Sequence, residues 1–300
     1  MRDVLRNTAF GLVALACLSG QAFARCEDYV PQPKPQNASR DIVGQDLDQI
    51  TERGWIDIAL FEDFPPYSYL EGGKPVGIDV EIGALIADAL GVEPKFRLVA
   101  AGENLEADLR NWVWKGPVTG GRVANVMMHI PYDSSFACRV EQVVFTGQYA
   151  TEGIAIAYSE AAYPDGEAPV PAYFRFDTVG VENDSISDFY LTAFPGGQLS
   201  GNMRRYPATQ DAMEALAAGE VKAVMGPRTQ LEAGAASGIK VHQPPLPGFS
   251  VGKWTLGTAV NFRYRALGYA VDDAIFAALD DGRIAAIYAK YGALWQAPER

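Results

Sequence analysis

Histidine is the scarcest side chain in this 300-residue chain, with only His129 and His242, and there are three cysteines. No paired-ligand spacing accompanies the two histidines, which argues against a zinc site. Positive charge is also short. Twenty-five Lys and Arg stand against 37 Asp and Glu, for a formal net charge of −12, and binding that rests on neutralising phosphates is poorly served by such a chain. Acidity suits a basic partner such as a small cationic protein, and equally describes an ordinary solvated surface. No phosphate-cradling glycine motif, kinase-like motif or calcium loop of the D-x-[DN]-x-[DN]-G type occurs. Gly248, Phe249, Ser250, Val251 and Gly252 spell G-x-S-x-G. A nucleophile elbow needs a strand before it and a helix after it, whereas this one follows prolines and precedes the strand-like TLGTAV. Acid pairs such as Glu62 with Asp63, or Asp272 with Asp273, read as solvated charges. Catalysis has no support in the sequence.

What is present begins with an address. Arg2 and Arg6 precede an apolar run from Ala9 to Leu18, then Ala22, Phe23 and Ala24 form an A-x-A site. Residues 1–24 read as a secretory signal peptide cleaved before Arg25. The run is shorter than the ~20 residues that span a bilayer, and no later segment has one. Losing Arg2, Asp3 and Arg6, net +1, takes the mature chain from −12 to −13. Cys17 leaves with the signal. Cys26 and Cys138 in an oxidising compartment suggest one disulfide, with two separate thiols as the alternative. A closed loop of ~110 residues would be worth ~4 to 5 kcal/mol in the chain-entropy account. Residues 25–50 form an amino-terminal arm, with Pro31, Pro33 and Pro35 at every second place and a short helical piece around Leu47 to Glu52.

The stretch from Trp55 to Gly91 organises the rest of the chain. Ile56, Ile58 and Leu60 alternate as a strand that stops at Asp63, Phe64, Pro65 and Pro66, since proline offers no ladder donor. Gly72 and Gly73 mark a turn. Ile82, Leu85, Ile86, Ala89 and Leu90 then have helical spacing, opened by Asp79 and Glu81 and closed by Gly91. Phe64 and Tyr67 are thereby placed at a strand's carboxyl end beside a helix amino terminus, where open α/β sheets bind ligands; the plainer reading makes both of them core aromatics. Farther on, Lys95 to Val99 reads as a strand, Leu105 to Val113 as a helix, Ala124 to Ile130 as a strand and Pro131 to Ser135 as a turn. Gln142 to Phe145, Gly147 to Ala157 and Thr178 to Glu182 read as strands. Asp184, Ser185, Ser187 and Asp188 mark a helix start. Thr209 reads as the cap of a helix ending near Gly219, Ala223 to Met225 as a strand stopped by Pro227, and Trp254 to Val260 as another, before two closing helices parted at Gly282. Trp112 and Trp114, near Arg110 and Lys115, read either as buried core or as an exposed patch for a partner protein.

Alternating strands and helices make this an α/β chain. Crossings near Tyr149 and Thr255 divide it into a discontinuous first lobe, 51–148 with 255–300, and a second lobe, 149–254, which is the layout of a hinged clamp. Five phrases carry a resemblance: DFPPYSY, GKPVGIDVEIGALIADALG, RVEQVVFTGQY, AMEALAAGEVKAVMG and DDGRIAAIYAKYG resemble, in order, the family 3 solute-binding proteins that serve amino-acid importers. The resemblance covers nearly all of the mature chain and implies the two-lobed type II periplasmic binding protein fold, closing on a ligand in a central cleft. It also implies that Phe64 covers the ligand, that Arg139 grips its carboxylate and that Ser185, with a helix amino terminus, takes the carboxylate's other side. Phe61 and Tyr67 would line the same cleft.

The departures change the expected ligand. The family's early acidic residue is replaced by Phe61, and its aspartate after AVMG by Pro227. An α-ammonium would lack its counter-charge there. With the added LRNWVWKG and VENDSISDFYL, the chain is similar to one branch, the binding-protein-like J proteins encoded beside quinoprotein methanol dehydrogenases. That resemblance implies a periplasmic, non-enzymatic accessory that contacts or matures the dehydrogenase, with a cytochrome c as a further candidate partner. Pyrroloquinoline quinone and calcium or lanthanide would belong to the enzyme, and this chain would hold no cofactor or metal. The rival is an importer receptor for an amino acid or other small carboxylate. If a small carboxylate binds, Arg139→Ala should weaken it by at least ~2 kcal/mol in calorimetry; unchanged affinity removes Arg139 from the site.

Overall fold

The computed structural model describes residues 44, 46–164, 166–249 and 252–299. The signal peptide, nearly all of the arm, Cys26 and the Ser250–Val251 centre of the G-x-S-x-G run lie outside the described residues, so the Cys26–Cys138 pairing is not described. Cys138 itself is buried.

Helix α1 (Leu47–Arg53) is capped by the Asp46 carboxylate, which accepts from Asp48 N, and ends at left-handed Gly54. Strand β1 (Trp55–Phe61) is followed by the hairpin β2 (Tyr69–Glu71) and β3 (Lys74–Val76), helix α2 (Ile78–Ala89) and strand β4 (Glu93–Val99). Helix α3 (Leu105–Leu109) runs into a π-turn at Arg110–Trp114, then β5 (Val126–Tyr132), α4 (Ser134–Arg139) and β6 (Val143–Ser159). The second half holds β7 (Val179–Glu182), α5 (Ile186–Thr192), β8 (Met203–Tyr206), α6 (Thr209–Ala217), β9 (Ala223–Pro227), α7 (Arg228–Ala233) and β10 (Ile239–His242). The chain closes with β11 (Lys253–Asn261), α8 (Arg265–Asp280) and α9 (Arg283–Lys290).

One sheet runs β4-β1-β5-β11-β6-β9-β7-β8, with β10 also paired to β6. The pairings β1 with β4 and β5, and β7 with β8 and β9, are parallel, while β11 and β6 are antiparallel to their neighbours. Strand β6 is shared between the lobes. Its first part, Val143 to Gly153, pairs with β11; Ile154 to Tyr158 pairs with β9 and Ile156 to Ser159 with β10. Strands read separately as Gln142–Phe145 and Gly147–Ala157 are therefore one element. Gly147 permits this, because its φ is +56° and a Cβ there would meet Ile275 Cδ1 at 2.6 Å. The register on β11 shifts opposite it, between Leu256 and Thr258.

Alternation at β1 is not an inside–outside pattern, since Ile56 to Leu60 are all buried. Ile56, Ile58 and Leu60 join Ile78, Ile82 and Ile86 of α2 on one face, and Ala59 joins Leu109 and Val113 on the other. A parallel strand covered on both sides is buried on both. Two more clusters cover the second half-sheet, one around Phe174, Tyr190 and Leu191 and one around Ala212, Met213 and Leu216. Pro227 ends a strand as read, but α7 follows it at once. Ala208, not Thr209, is the residue before α6; Thr209 Oγ1 instead donates to Glu182 Oε2 at 2.7 Å.

Gly77 joins the hairpin to α2 with φ +129°, and a Cβ would lie 2.2 Å from Tyr67 O. Gly77→Ala should cost about 2 to 4 kcal/mol in urea unfolding. Gly72, also at positive φ but with nothing within 4 Å, should cost only about 1 kcal/mol when made alanine.

Candidate functional site

The loop from Glu62 to Ser68 folds back on itself, with Phe64 N donating to Ser68 O and Ser68 N to Phe64 O, each at 2.9 Å. Ser68 Oγ donates to Phe61 O at 2.6 Å. This stacks the Phe64 and Tyr67 rings, 5.4 Å apart and 21° from parallel. His129 meets both edge-on, at 4.9 and 4.2 Å, and Phe61 meets Phe64 edge-on at 6.3 Å. The loop also fills the helix end it faces. Ile78 N donates to Pro66 O and Asp79 N to Tyr67 O, both at 2.9 Å, while Gly77 N donates to the Tyr291 hydroxyl oxygen at 2.9 Å. These donors of the α2 amino terminus are spent on the protein's own oxygens.

Beneath the aromatics lie two buried carboxylates. Asp79, read as a first-turn charge, is fully buried; Tyr149 OH donates to its Oδ1 at 2.7 Å, and its Oδ2 lies 2.9 Å from His129 Nδ1. His129 holds that position with a left-handed backbone, φ 59°. Glu152, 1 % exposed, sits on β6 at the hand-over between lobes. The Tyr67 hydroxyl donates to its Oε2, Gly153 N to its Oε1 at 2.7 Å, and Thr229 N of α7 to both oxygens at 3.3 and 3.4 Å. Burial, with Glu152 beside Tyr67 and Asp79 beside Tyr149, pushes both phenols well above their ordinary range, which keeps them donors. Tyr288, buried next to them, has no hydrogen-bond partner for its hydroxyl among the described residues.

The sequence-derived residues separate in this frame. Tyr67 is 1 % exposed and bonded to Glu152, so it is part of the interior and not a cleft wall. Phe61 and Phe64 are half-buried against the first lobe's two clusters. Arg139 ends α4, exposed, with its guanidinium 5.7 Å from the Phe136 ring. Ser185 is the cap of the seven-residue α5, its Oγ accepting from Asp188 N at 3.2 Å. Asp188 takes two bonds of 2.8 Å from Arg205, which hold its carboxyl below the usual range. Trp114 corrects the exposed-patch reading: it is 8 % exposed within the cluster of Leu109, Val113 and Val140, because the π-turn rotates it inward. Trp112 is half-buried on the same cluster, and its carbonyl accepts from Ala124 N at 2.7 Å.

A cavity of about 350 Å³ does lie between the lobes, but none of Phe61, Phe64, Arg139 or Ser185 lines it. Its walls include Pro65, Pro66 and Tyr69 on one side and Met213, Gln230 and Gly234 on the other. The one signal that could have found Glu152 is its position, a lone acid inside the otherwise uncharged run GQYATEGIAIAYS. Among the described residues no group of three or more His, Cys, Asp or Glu is placed to hold a metal ion, and no helix is long and apolar enough to cross a membrane.

Tyr67→Phe leaves Glu152 short of a donor and should lower stability by about 1.5 to 3 kcal/mol in chemical denaturation. Trp114→Ala should cost about 3 to 5 kcal/mol, the range for emptying a packed aromatic site; a loss below 1 kcal/mol would return Trp114 to the surface.

The profile of the bacterial extracellular solute-binding proteins, family 3, matches residues 56–113, which span β1 to the π-turn. No curated protein matches the chain. Among solved structures, an ancestral cationic amino acid solute-binding protein superposes with a TM-score of 0.66 at 19% identity, over 82% of this chain and 99% of its own. An amino acid transporter substrate-binding protein from Streptococcus pneumoniae, bound to L-arginine, gives 0.58 at 19% identity over 83% and 98%. A solute receptor for L-cysteine of Neisseria gonorrhoeae gives 0.55 at 21% over 82% and 93%. Together with the shared strands β6 and β11, these likenesses establish that the chain has the two-lobed α/β fold of the family 3 periplasmic solute-binding proteins.

Proposed function

We propose that this chain is a non-enzymatic periplasmic accessory protein that acts through its surface on a quinoprotein methanol dehydrogenase, and does not carry an α-amino acid. The observation that carries the reading is Glu152: between the lobes, where a solute's carboxylate would collect donors, a carboxylate of the chain itself takes the Tyr67 hydroxyl and the Thr229 amide. Two further features agree. The positions at which an ammonium would need acids hold Phe61 and Pro227, and amino-terminal donors of α2 are bonded to Pro66 and Tyr67 oxygens. In this reading residues 1–24 direct export and are removed, and the two lobes are 51–148 with 255–300, and 149–254. The dehydrogenase keeps its own pyrroloquinoline quinone and calcium or lanthanide, and a cytochrome c is a second candidate partner.

An importer receptor for a small carboxylate is the second reading, and the interlobe cavity of about 350 Å³ favours it. Both readings meet in one experiment. The mature protein is isolated from its native periplasm under mild conditions, and everything released from it is identified by mass spectrometry. A co-purifying quinoprotein dehydrogenase with no stoichiometric small molecule is the expected result. A stoichiometric amino acid or other carboxylate would overturn the accessory role.

A further inference from the structure

Among the described residues, two groups of bonds tie one lobe to the other. The first is Glu152, reached by Tyr67 from the first lobe and by the amide of Thr229 from α7 of the second. Next to it Gln230 Nε2 donates to Pro65 O at 3.2 Å, again across the lobes.

The second is the segment after α9. Leu294 is exposed as a side chain, yet its backbone is gripped at both ends by α7. Its N–H donates to Glu232 Oε2 at 2.8 Å, and its carbonyl accepts from Arg228 Nη1 at 2.6 Å. Arg228, only 2 % exposed, also pairs with Glu232 at 2.6 Å, so the cation and the acid that neutralises it jointly hold the two backbone polar groups of one residue. The chain then runs over both shared strands. Trp295 Nε1 donates to Tyr149 O at 2.8 Å, and Thr151 N donates to Gln296 O at 2.9 Å. Thr151 Oγ1 donates to Ala297 O at 2.6 Å, and Gln296 Nε2 to Gln243 Oε1 at 2.9 Å. Thr255 Oγ1 donates to Glu299 O at 3.3 Å, and Lys253 Nζ pairs with the Glu299 carboxylate.

We infer that the two lobes are held against each other without a solute, by Glu152 as a built-in interlobe carboxylate and by residues 294–299 as a strap across the hinge. Two strands alone allow a clamp to bend about them. A third segment bonded to β6, to β11 and to α7 resists that bending, because opening must break the grip on Leu294 and leave Arg228 and Glu232 to rearrange in a buried setting. The inference stands whichever partner the protein serves, since it concerns the free chain.

The test uses the mature full-length protein, unfolded and refolded to strip small molecules. Small-angle scattering should give one compact form, unchanged by adding a mixture of amino acids, and hydrogen exchange should show the Thr151, Thr229 and Leu294 amides protected at least tenfold beyond their neighbours in exposed turns. Glu152→Gln and Glu232→Gln should each enlarge the radius of gyration and speed exchange, the first at Thr229 and the second at Leu294. A stripped wild type that is expanded and compacts only when a solute is added overturns the inference. So does a Leu294 amide that exchanges freely in the wild type, a measurement that needs no variant to fold.

Discussion

A carboxylate buried at the meeting of two lobes must find donors from both, and Glu152 does so. Its oxygens take a phenol from the aromatic loop, the amide of Gly153 beside it and the amide of Thr229 in the first turn of α7. An ionised carboxylate left without those bonds would be too costly to bury. The loop, the shared strand and α7 therefore have to be positioned together. The stacking of Phe64 on Tyr67 and the packing of His129 against both result from placing the Tyr67 hydroxyl over that oxygen.

Asp79 repeats the arrangement one layer inward. As the second residue of α2 it could have stayed in solvent, complementing the helix dipole. Instead it is fully buried and shared by Tyr149 and His129. His129 reaches it from a left-handed backbone, a conformation of small but real cost for a residue that is not glycine. The hydrogen bonds to Asp79 and the ring contacts with Phe64 and Tyr67 offset that cost. The consequence is chemical as well as structural: the aromatic loop, the α2 amino terminus and the shared strand form one polar core whose loop and helix-end donors are spent on the protein's own oxygens, while the Tyr288 hydroxyl has no partner among the described residues.

Most of the architecture was legible in the sequence, because strand ends, glycine turns and helical spacing are local signals. The turn at Gly72 and Gly73, α2, α8, α9 and the strands β1, β4, β7, β9 and β11 come from them. What was not legible depends on contacts distant in sequence. Strand β8, with its MRRY sequence, lacks apolar alternation and exists because it pairs with β7. Helix α7 begins right after a proline that looked like a stop, and the continuity of β6 through Gly147 rests on packing against α8. At the site, the aromatics were found, with the core and the exposed or cleft readings both open, and burial decides for the core at Tyr67 and Trp114. Tyr67 and Trp114 became interior residues once Glu152 and the π-turn placed them. Glu152 lies far in sequence from the adjacent Arg228 and Thr229, so no local motif joins them.

The proposed absence of a solute's ammonium site and the interlobe carboxylate Glu152 bear on one equilibrium. A receptor works as a clamp only if its free state is open, so that the solute's differential affinity for the closed form supplies the free energy of closure. If the chain's own bonds supply that free energy, a solute has little left to shift, and selection on its pocket relaxes. Phe61 and Pro227 suit that closed form, since neither is a charge left unpaired. A fold evolved to report a solute by changing shape would thus become a fixed surface, and a fixed surface is what a protein partner can recognise without an ordering cost.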